Sequence, residues 1–232
     1  MPAKYWLVMP AAGKGERMAA GGSATPKQYL ELAGRAVIEH ALAPFLADAS
    51  CQGLLVALAP GDTAFARLPI AADPRITTVT GGAARADSVR AGLLALTARV
   101  GTADPWVLVH DAARPCLVRE DLAALLAALA EAPDGALLGL PITDTVKRAD
   151  EAGRSVATLP RSALWRAATP QAFRLKRLVA ALAANPAATD EASAIEAAGG
   201  RPRLIAGSPD NLKLTTPADL KLAACILAGG SR

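Results

Sequence analysis

Residues 5–18 read YWLVMPAAGKGERM, a short apolar run that leads directly into a turn with two glycines, two basic residues and one acidic residue. Glycines placed after a buried strand let the backbone come close to a ligand, and exposed N–H groups there can bind an anion. The spacing is GxGxR, which matches neither the GxGxxG dinucleotide pattern nor the GK[ST] of a P-loop. On spacing alone, a phosphate cradle and a flexible basic turn are both open interpretations.

Outward from this turn, short apolar runs alternate with segments of helical periodicity. The predicted strands are apolar at most positions, which is typical of a sheet covered on both faces; they span 5–9, 54–59, 76–79, 106–110, 136–140 and 203–206. The predicted helices span 37–47, 86–98, 120–130, 175–184 and 190–198, with a last helix beginning near Thr216. This order predicts an α/β fold in one domain over residues 1–232: a Rossmann-like, mostly parallel sheet with helices on both faces. Ligand sites of such sheets lie beyond the carboxyl ends of the strands.

Residues 141–171 interrupt the alternation with polar residues, prolines and the turn ADEAGR. The pattern predicts a β-hairpin, TDTVKR against SVATLPR, that projects from the sheet as an arm at about 141–165. A two-stranded hairpin cannot bury itself alone. We therefore expect the arm to pack on a second copy of the chain, in a homodimer.

Composition narrows the function classes. The net charge is +4 and the charges are scattered, so a small anionic ligand fits better than nucleic acid, which selects basic stripes with interleaved aromatics. The three cysteines lie far apart, which predicts neither a disulfide framework nor a zinc site. The chain shows neither a cleavable leader pattern nor an apolar run long enough for a spanning helix, so we expect a soluble, cytoplasmic protein without a membrane partner.

Three cations surround the opening turn: Lys14, Arg17 and Lys27, offset only by Glu16. Surface lysines usually only solvate a face, but with the glycine turn this concentration of charge favours a triphosphate. In phosphoryl-group transfer, positioning and cations supply most of the catalysis. The sequence therefore indicates an enzyme of this class as one hypothesis.

Two further stretches follow predicted strands. GGAARADSV (81–89) predicts either close backbone approach to a ligand or simply a capped helix start, and the two interpretations are equally supported. In WVLVHDAARP (106–115), Asp111 could bind a sugar hydroxyl, approach Mg²⁺ through water, or cap a helix, and we expect His110 to be structural. The loops TDTVKR, ATDEASAIE and DNLKLTTP are ordinary in isolation, but together with Arg161 of the arm they add Lys147 and Lys213 to the cations of the presumed site.

Taken in order, PAAGKGERM, PKQYL, GGxxRADSV, VLVHDAARP, DTVKR, TPQAF, TDEAS and DNLKLT resemble the 2-C-methyl-D-erythritol 4-phosphate cytidylyltransferase family, over about residues 5–222. HDAARP with TDEAS is the specific part, since PAAGxGxR alone indicates only the wider nucleotidyltransferase family. The resemblance implies the nucleotidyltransferase fold and transfer of a cytidylyl group from CTP to methylerythritol phosphate, with Mg²⁺ held mainly by the CTP phosphates. It also implies that the arm crosses to the neighbouring subunit.

The resemblance assigns roles to residues of this chain. The catalytic residues would be Arg17 and Lys27, at the pentavalent α-phosphate, with Arg161 and Lys213, which position the acceptor. The nucleotide would be bound by Pro10, Ala11, Ala12, Gly13, Gly15, Gly82, Ala83, Ser88, Asp111 and Ala112. The acceptor would be bound by Asp111, Arg114, Thr145, Arg161, Thr189 and Lys213, with Arg114, Thr145 and Arg161 serving the partner's site.

Two departures and two rival functions accompany the resemblance. The family often has an acidic residue at the position of Ala83, and the segment ATLPR is the least similar stretch. A ribitol-phosphate or other polyol-phosphate cytidylyltransferase would share the CTP half of the site. A noncatalytic nucleotide-binding module would be expected to lose Arg17, Lys27 or Lys213, and this chain keeps all three. A dehydrogenase is excluded because the glycines do not fit its fingerprint.

Overall fold

The computed structural model describes residues 3–13 and 25–229. Its centre is a seven-stranded sheet in the order β11-β7-β10-β6-β1-β4-β5. The strands are β1 (Tyr5–Ala11), β4 (Cys51–Leu58), β5 (Ile76–Thr80), β6 (Trp106–Val109), β7 (Ala136–Pro141), β10 (Trp165–Arg174) and β11 (Arg203–Ala206). All neighbours pair in parallel except β10, which runs antiparallel to both β6 and β7. The expected mostly parallel α/β fold is confirmed.

Within these ranges, six helices accompany the sheet: α1 (Val37–Leu46), α2 (Arg85–Val100), α3 (Arg119–Ala128), α4 (Leu175–Ala184), α5 (Glu191–Ala197) and α6 (Pro217–Gly229). Short 3-10 turns lie at Lys27–Tyr29, Phe65–Arg67, Pro69–Ala72 and Leu129–Glu131. A two-residue ribbon, β2 (Glu31–Leu32) with β3 (Arg35–Ala36), leads into α1. The predicted helix at 175–184 and strand at 203–206 agree with the structure to the residue.

Side chains of β1 alternate between two hydrophobic layers because successive residues of a strand point to opposite faces. Leu7 and Met9 pack in the layer formed with α1 and α3, whereas Val8 packs in the layer formed with α2, α4 and α5. The sheet is thus covered on both faces, which explains why its strands read as nearly continuous apolar runs.

The segment 141–171 departs from the prediction at its second half. Residues 146–149 (β8) and 155–159 (β9) pair as the expected hairpin. Trp165–Arg174, however, forms β10 in the middle of the central sheet. Pro170 hid this strand, because a proline lacks the N–H of a ladder bond and argues against a central strand. In the structure the pairing of β10 with β7 is interrupted between Ala167 and Gln171, which accommodates the proline.

Candidate active site

One pocket opens above the carboxyl ends of β1 and β6, where adjacent parallel strands place their loops side by side. Its lining comes from five separate segments: Pro10, Ala11, Ala12 and Gly13 after β1; Lys27 and Gln28; Gly82, Ala83, Ala84, Arg85 and Ser88; Asp111, Ala112 and Ala113 after β6; and Lys213. The structure therefore brings together most of the residues that the sequence assigned to the nucleotide, with Lys27 and Lys213. Lys14, Gly15 and Arg17 lie outside the described residues.

The glycine loop before α2 is held closely against the sheet and the helix. The Gly81 N–H donates to the Leu58 carbonyl at 2.7 Å, and the Gly82 N–H donates to Ser88 Oγ at 3.2 Å. A Cβ on Gly82 would overlap the Cβ of Asp87, so a side chain at this position would push the loop out of place. Asp87 accepts from the Ala84 N–H at 3.1 Å and thereby closes the first turn of α2. The stretch is thus a capped helix start whose loop also lines the pocket.

Lys27 reaches the pocket from a 3-10 turn that Gln28 fastens to β1. Gln28 is buried, and its Nε2 donates to the Ala11 carbonyl at 2.8 Å. Lys27 Nζ donates to the Leu214 carbonyl at 3.2 Å, next in sequence to Lys213. Two lysines 186 positions apart in the chain therefore lie on adjoining segments of one site. Gln28 stands inside the motif PKQYL, but no local pattern marks its contact with β1.

Asp111 is the electrostatic centre of the pocket. Its side chain is 8% exposed, with Arg85 Nε at 2.8 Å from Oδ1 and Lys213 Nζ at 2.8 Å from Oδ2. Burial alone would raise the pKa of Asp111, but the charges of Arg85 and Lys213 outweigh burial and lower it. The carboxylate is therefore ionised at neutral pH, and it holds the two cations on its two oxygens.

Arg85 has a second acidic partner, Glu191, at the start of α5. Its Nη1 and Nη2 donate to the two carboxylate oxygens of Glu191 at 2.7 and 3.0 Å. Sequence reasoning missed both residues, although each stands in a motif that it quoted, GGAARADSV and ATDEASAIE. A local pattern gives no sign of an ion pair between residues 106 positions apart.

Arg114, a predicted acceptor residue, does not belong to the lining of the pocket. Its Nη1 donates to the Asn211 carbonyl at 2.7 Å, and its Nε is 3.9 Å from Asp111 Oδ2. Arg114 Nε and Asn211 Oδ1 are buried and lack a hydrogen-bond partner within the described residues. Arg114 is thus close to Asp111 and connects the loop after β6 to the segment that carries Lys213.

His110 is fully buried between β6 and β10. Its Nδ1 is 3.1 Å from Thr169 Oγ1, its Nε2 is 3.2 Å from the Arg114 carbonyl, and the Asp111 N–H donates to the same Thr169 hydroxyl at 3.1 Å. Burial lowers the pKa of His110 to about 4, so the ring is neutral at physiological pH. These contacts agree with the expected structural role, in which His110 orients the loop that carries Asp111.

Besides Arg114, three of the predicted acceptor residues do not line the pocket. Thr145 and Arg161 are exposed at the base of the hairpin, in the links between β7 and β8 and between β9 and β10. Thr189 is exposed two residues before Glu191, ahead of Asp190, which caps α5 by accepting from the Ser193 N–H at 2.9 Å. Within one copy of the chain, the pocket thus contains the nucleotide residues and only part of the acceptor set.

The side chains that line the pocket indicate how it could hold a metal ion. Among residues 3–13 and 25–229, no three His, Cys, Asp or Glu side chains cluster in a way that could hold a metal ion. Of the described residues that line the pocket, Asp111 is the single carboxylate. This fits Mg²⁺ that takes most of its ligands from substrate phosphates and water, with at most one protein carboxylate. In the same part of the chain, none of the helices has the length and apolar character that crossing a membrane requires.

A family model and individual related proteins give the same result. The family model described as 2-C-methyl-D-erythritol 4-phosphate cytidylyltransferase matches residues 5–229. A protein of that name from Ectopseudomonas mendocina (strain ymp) is 53% identical over 224 residues, covering 95% of this chain and 94% of its own length. One from Pseudomonas fluorescens (strain SBW25) is 52% identical over 221 residues, covering 94% and 93%.

Solved structures agree with the sequence matches. The crystal structure of a 4-diphosphocytidyl-2C-methyl-D-erythritol synthase is similar with a TM-score of 0.83 and 38% identity, covering 97% of this chain and 99% of that one. The 2-C-methyl-D-erythritol 4-phosphate cytidylyltransferase of Thermus thermophilus has a TM-score of 0.77 and 32% identity, covering 98% and 100%.

Proposed function

The chain belongs to the 2-C-methyl-D-erythritol 4-phosphate cytidylyltransferase family, and we propose how its pocket divides the work of the reaction among the residues described above. The enzyme transfers the cytidylyl group of CTP to 2-C-methyl-D-erythritol 4-phosphate, giving 4-diphosphocytidyl-2-C-methyl-D-erythritol and pyrophosphate. An acceptor phosphate oxygen forms a bond to the α-phosphorus of CTP. The bond from that phosphorus to the bridging oxygen breaks, and pyrophosphate leaves with the electron pair.

The observation that carries the division of roles is the meeting of Lys27, Lys213 and Asp111 at one pocket. The attacking phosphate is already ionised at neutral pH, so the site has no need of a strong general base. What it must supply is shielding between two anions and stabilisation of charge at the α-phosphate. Lys27, with Arg17, serves the α-phosphate in our proposal, and Lys213 positions the acceptor phosphate.

The glycine loop is the proposed base-reading element. Gly82 and Ala83 line the pocket, and Ser88 fastens the loop from beneath through the Gly82 N–H. Since Ala83 offers no side-chain hydrogen bond, cytosine would be recognised there through the backbone. Asp111 and Ala112 lie at the carboxyl end of β6, where they would contact the ribose.

Mg²⁺ is the proposed cofactor. Asp111 is the one side chain of the described pocket that could approach it, directly or through water. When bound, Mg²⁺ neutralises triphosphate charge and assists departure of pyrophosphate. Arg85 and Lys213 keep Asp111 ionised and oriented.

The arm at about 141–165 is proposed to complete the acceptor site of a partner subunit. Thr145 and Arg161 are exposed at the base of the hairpin and absent from the pocket lining of their own chain. Val156, on β9, is 54% exposed, which suits a surface covered in a dimer. We also propose a cytoplasmic location, because Cys51, Cys116 and Cys225 are all free thiols.

Pyrophosphate release tests this function. The enzyme is supplied with Mg²⁺ and CTP, ATP, GTP or UTP, and with methylerythritol phosphate or ribitol phosphate as separate acceptors. We expect pyrophosphate release only when CTP and methylerythritol phosphate are supplied together. Release with ribitol phosphate instead would move the acceptor assignment and keep the nucleotide half. Equal release with UTP would contradict base reading through the loop at Ala83.

A further inference from the structure

Arg85 and Glu191 form an ion pair that connects three loops of the site. Arg85 is the first residue of α2, directly after the glycine loop, and Glu191 is the first residue of α5. Asp111 follows β6 and is the third member, bonded to Arg85 Nε. The pair therefore joins the proposed base-reading loop, the Asp111 loop and the loop that carries Thr189.

The geometry of the pair fixes the orientation of Asp111. A guanidinium group is planar, and its nitrogens keep fixed relative positions. With both terminal nitrogens on Glu191 at 2.7 and 3.0 Å, the remaining Nε points at Asp111 Oδ1 at 2.8 Å. Oδ2 is then turned towards Lys213 Nζ, also at 2.8 Å. Glu191 thus fixes, through Arg85, the orientation of the Asp111 carboxylate and the direction in which its second oxygen faces Lys213.

Glu191 cannot act on the substrates directly. Its side chain is 1% exposed and does not belong to the lining of the described pocket, whereas Lys213 is 38% exposed.

The charges of this cluster do not cancel. The positive side chains are Arg85, Arg114 and Lys213, and the negative ones are Asp111 and Glu191, so the net charge is +1. If Glu191 loses its charge, Arg85 becomes free to compete with Lys213 for Asp111.

Stability does not account for the pair. Two charges removed from water lose about as much in solvation as they gain from each other, so a buried ion pair adds little net stability. Glu191 is costly to bury, and its contact with Arg85 fixes the Asp111 carboxylate. The orientation of Asp111 therefore explains the pair better than stability does.

We propose that Glu191 is a positioning residue for cytidylyl transfer: through Arg85 it orients Asp111, and Asp111 in turn holds Lys213 where the acceptor phosphate binds. The proposal rests on the function and on the role of Lys213 proposed above. It predicts that the pair matters for the acceptor more than for CTP.

Three variants test it: Glu191→Gln keeps the shape without the charge, Arg85→Lys keeps the charge without the fork, and Arg90→Lys is the matched control. Arg90 lies on the same helix and pairs with the half-buried Asp87 at 3.1 Å. Initial rates of pyrophosphate release are measured with either substrate varied. We expect kcat/KM for the acceptor to fall at least about tenfold in the first two variants, while KM for CTP changes less than about threefold. Arg90→Lys should match the wild type.

A double variant and a binding measurement separate positioning from folding. If both residues act through one contact, Arg85→Lys/Glu191→Gln should be no worse than the more impaired single variant. CTP binding, measured calorimetrically with Mg²⁺ and without acceptor, should stay near wild type, since it requires a folded pocket. Glu191→Asp keeps the charge with a shorter reach and should recover part of the loss of Glu191→Gln.

Three results would overturn the proposal. The first is additive effects of Arg85→Lys and Glu191→Gln in the double variant, and the second is a loss of acceptor kcat/KM in these variants no greater than that of Arg90→Lys. The third is a loss of acceptor kcat/KM that parallels a loss of CTP binding capacity. The wild type, assayed in parallel, distinguishes the two levels of inference. Failure of the wild type with methylerythritol phosphate would refute the proposed function, whereas wild-type behaviour of Glu191→Gln would refute only the positioning role.

Discussion

At the scale of the residue, the site is a set of charges that hold one another before any substrate arrives. Lys213 is paired with Asp111, and Lys27 donates to the Leu214 carbonyl. Preorganised cations of this kind stabilise developing charge without having to reorganise during the reaction. The ion pair of Lys213 with Asp111 is also asymmetric, since Lys213 is far more exposed than Asp111 and can reach an incoming phosphate.

Lys27→Ala tests this arrangement most directly. We expect kcat to fall at least about a hundredfold, because one lost transition-state contact costs ~3 kcal/mol. The measurement is the rate of pyrophosphate release at saturating CTP and acceptor. Lys221→Ala, which removes an exposed lysine from α6, is the control. An unchanged kcat in Lys27→Ala would refute the assigned role.

Sequence alone predicted the residues that lie in contiguous motifs and missed those defined by partners far along the chain. Lys27, Asp111 and Lys213 stand in recognisable loops, and the structure places them at one pocket. Gln28, Arg85 and Glu191 stand in the same motifs, but what they do depends on contacts with Ala11, Asp111 and each other. Such contacts exist only after the loops are assembled on the sheet.

At the scale of the element, hydrophobic periodicity was sufficient to predict the bounds of a helix or strand whose environment is uniform along its length. The buried strands β6 and β7 and the amphipathic α4 were predicted to within one residue at each end. β10 was not, because Arg166 and Ala167 are exposed, Pro170 interrupts the ladder, and the strand begins where the hairpin arm returns. Its place in the sheet is set by pairing with β6 and β7, which no local pattern encodes.

Helix α6 gives a prediction with a defined pH dependence. Asp219 Oδ2 accepts from the N–H groups of Thr215 and Thr216 at 2.8 and 2.7 Å, and the Thr216 bond is the main cause of its lowered pKa. A carboxyl with a lower pKa in the folded state stabilises that state above its unfolded pKa of 3.8, and the contribution disappears as pH falls through the folded value. Asp219→Asn should therefore lose about 0.5–1 kcal/mol at neutral pH.

The check is urea unfolding of Asp219→Asn and wild type from about pH 7 to about pH 3. The difference in unfolding free energy should shrink as the solution becomes acidic. Glu151→Gln, an exposed carboxylate in the hairpin turn, is the control. A difference that stays constant across this range would show that the charge of Asp219 does not stabilise the start of α6.

At the scale of the whole molecule, the pocket of one chain is lined by two of the six proposed acceptor residues, Asp111 and Lys213. The pocket gathers five segments of a single chain, while Thr145 and Arg161 stand outside it on the arm. A closed two-fold dimer would supply each pocket with the arm of its partner. The hairpin was predictable from its turn and alternation, whereas the proposed docking of the arm involves a second copy of the chain, which no local pattern describes.

Mixed dimers test whether the arm acts in the partner's site. Lys27→Ala and Arg161→Ala should each be nearly inactive alone. If the arm works across the interface, a mixed dimer contains one pocket with both intact residues, so an equimolar, re-equilibrated mixture should regain about a quarter of wild-type activity. Activity that stays at the level of the separate variants would show that Arg161 serves its own chain or none.

The contact of Lys27 with the Leu214 carbonyl also has a consequence for how the enzyme comes into being. A polypeptide emerges from the ribosome from its N-terminus, so the glycine loop and Asp111 are present long before Lys213. Until the segment 211–214 has emerged, neither the lysine on the second oxygen of Asp111 nor the carbonyl that Lys27 contacts is in place. Catalytic competence therefore requires synthesis through residue 214, because a chain that stops before residue 211 lacks both contacts.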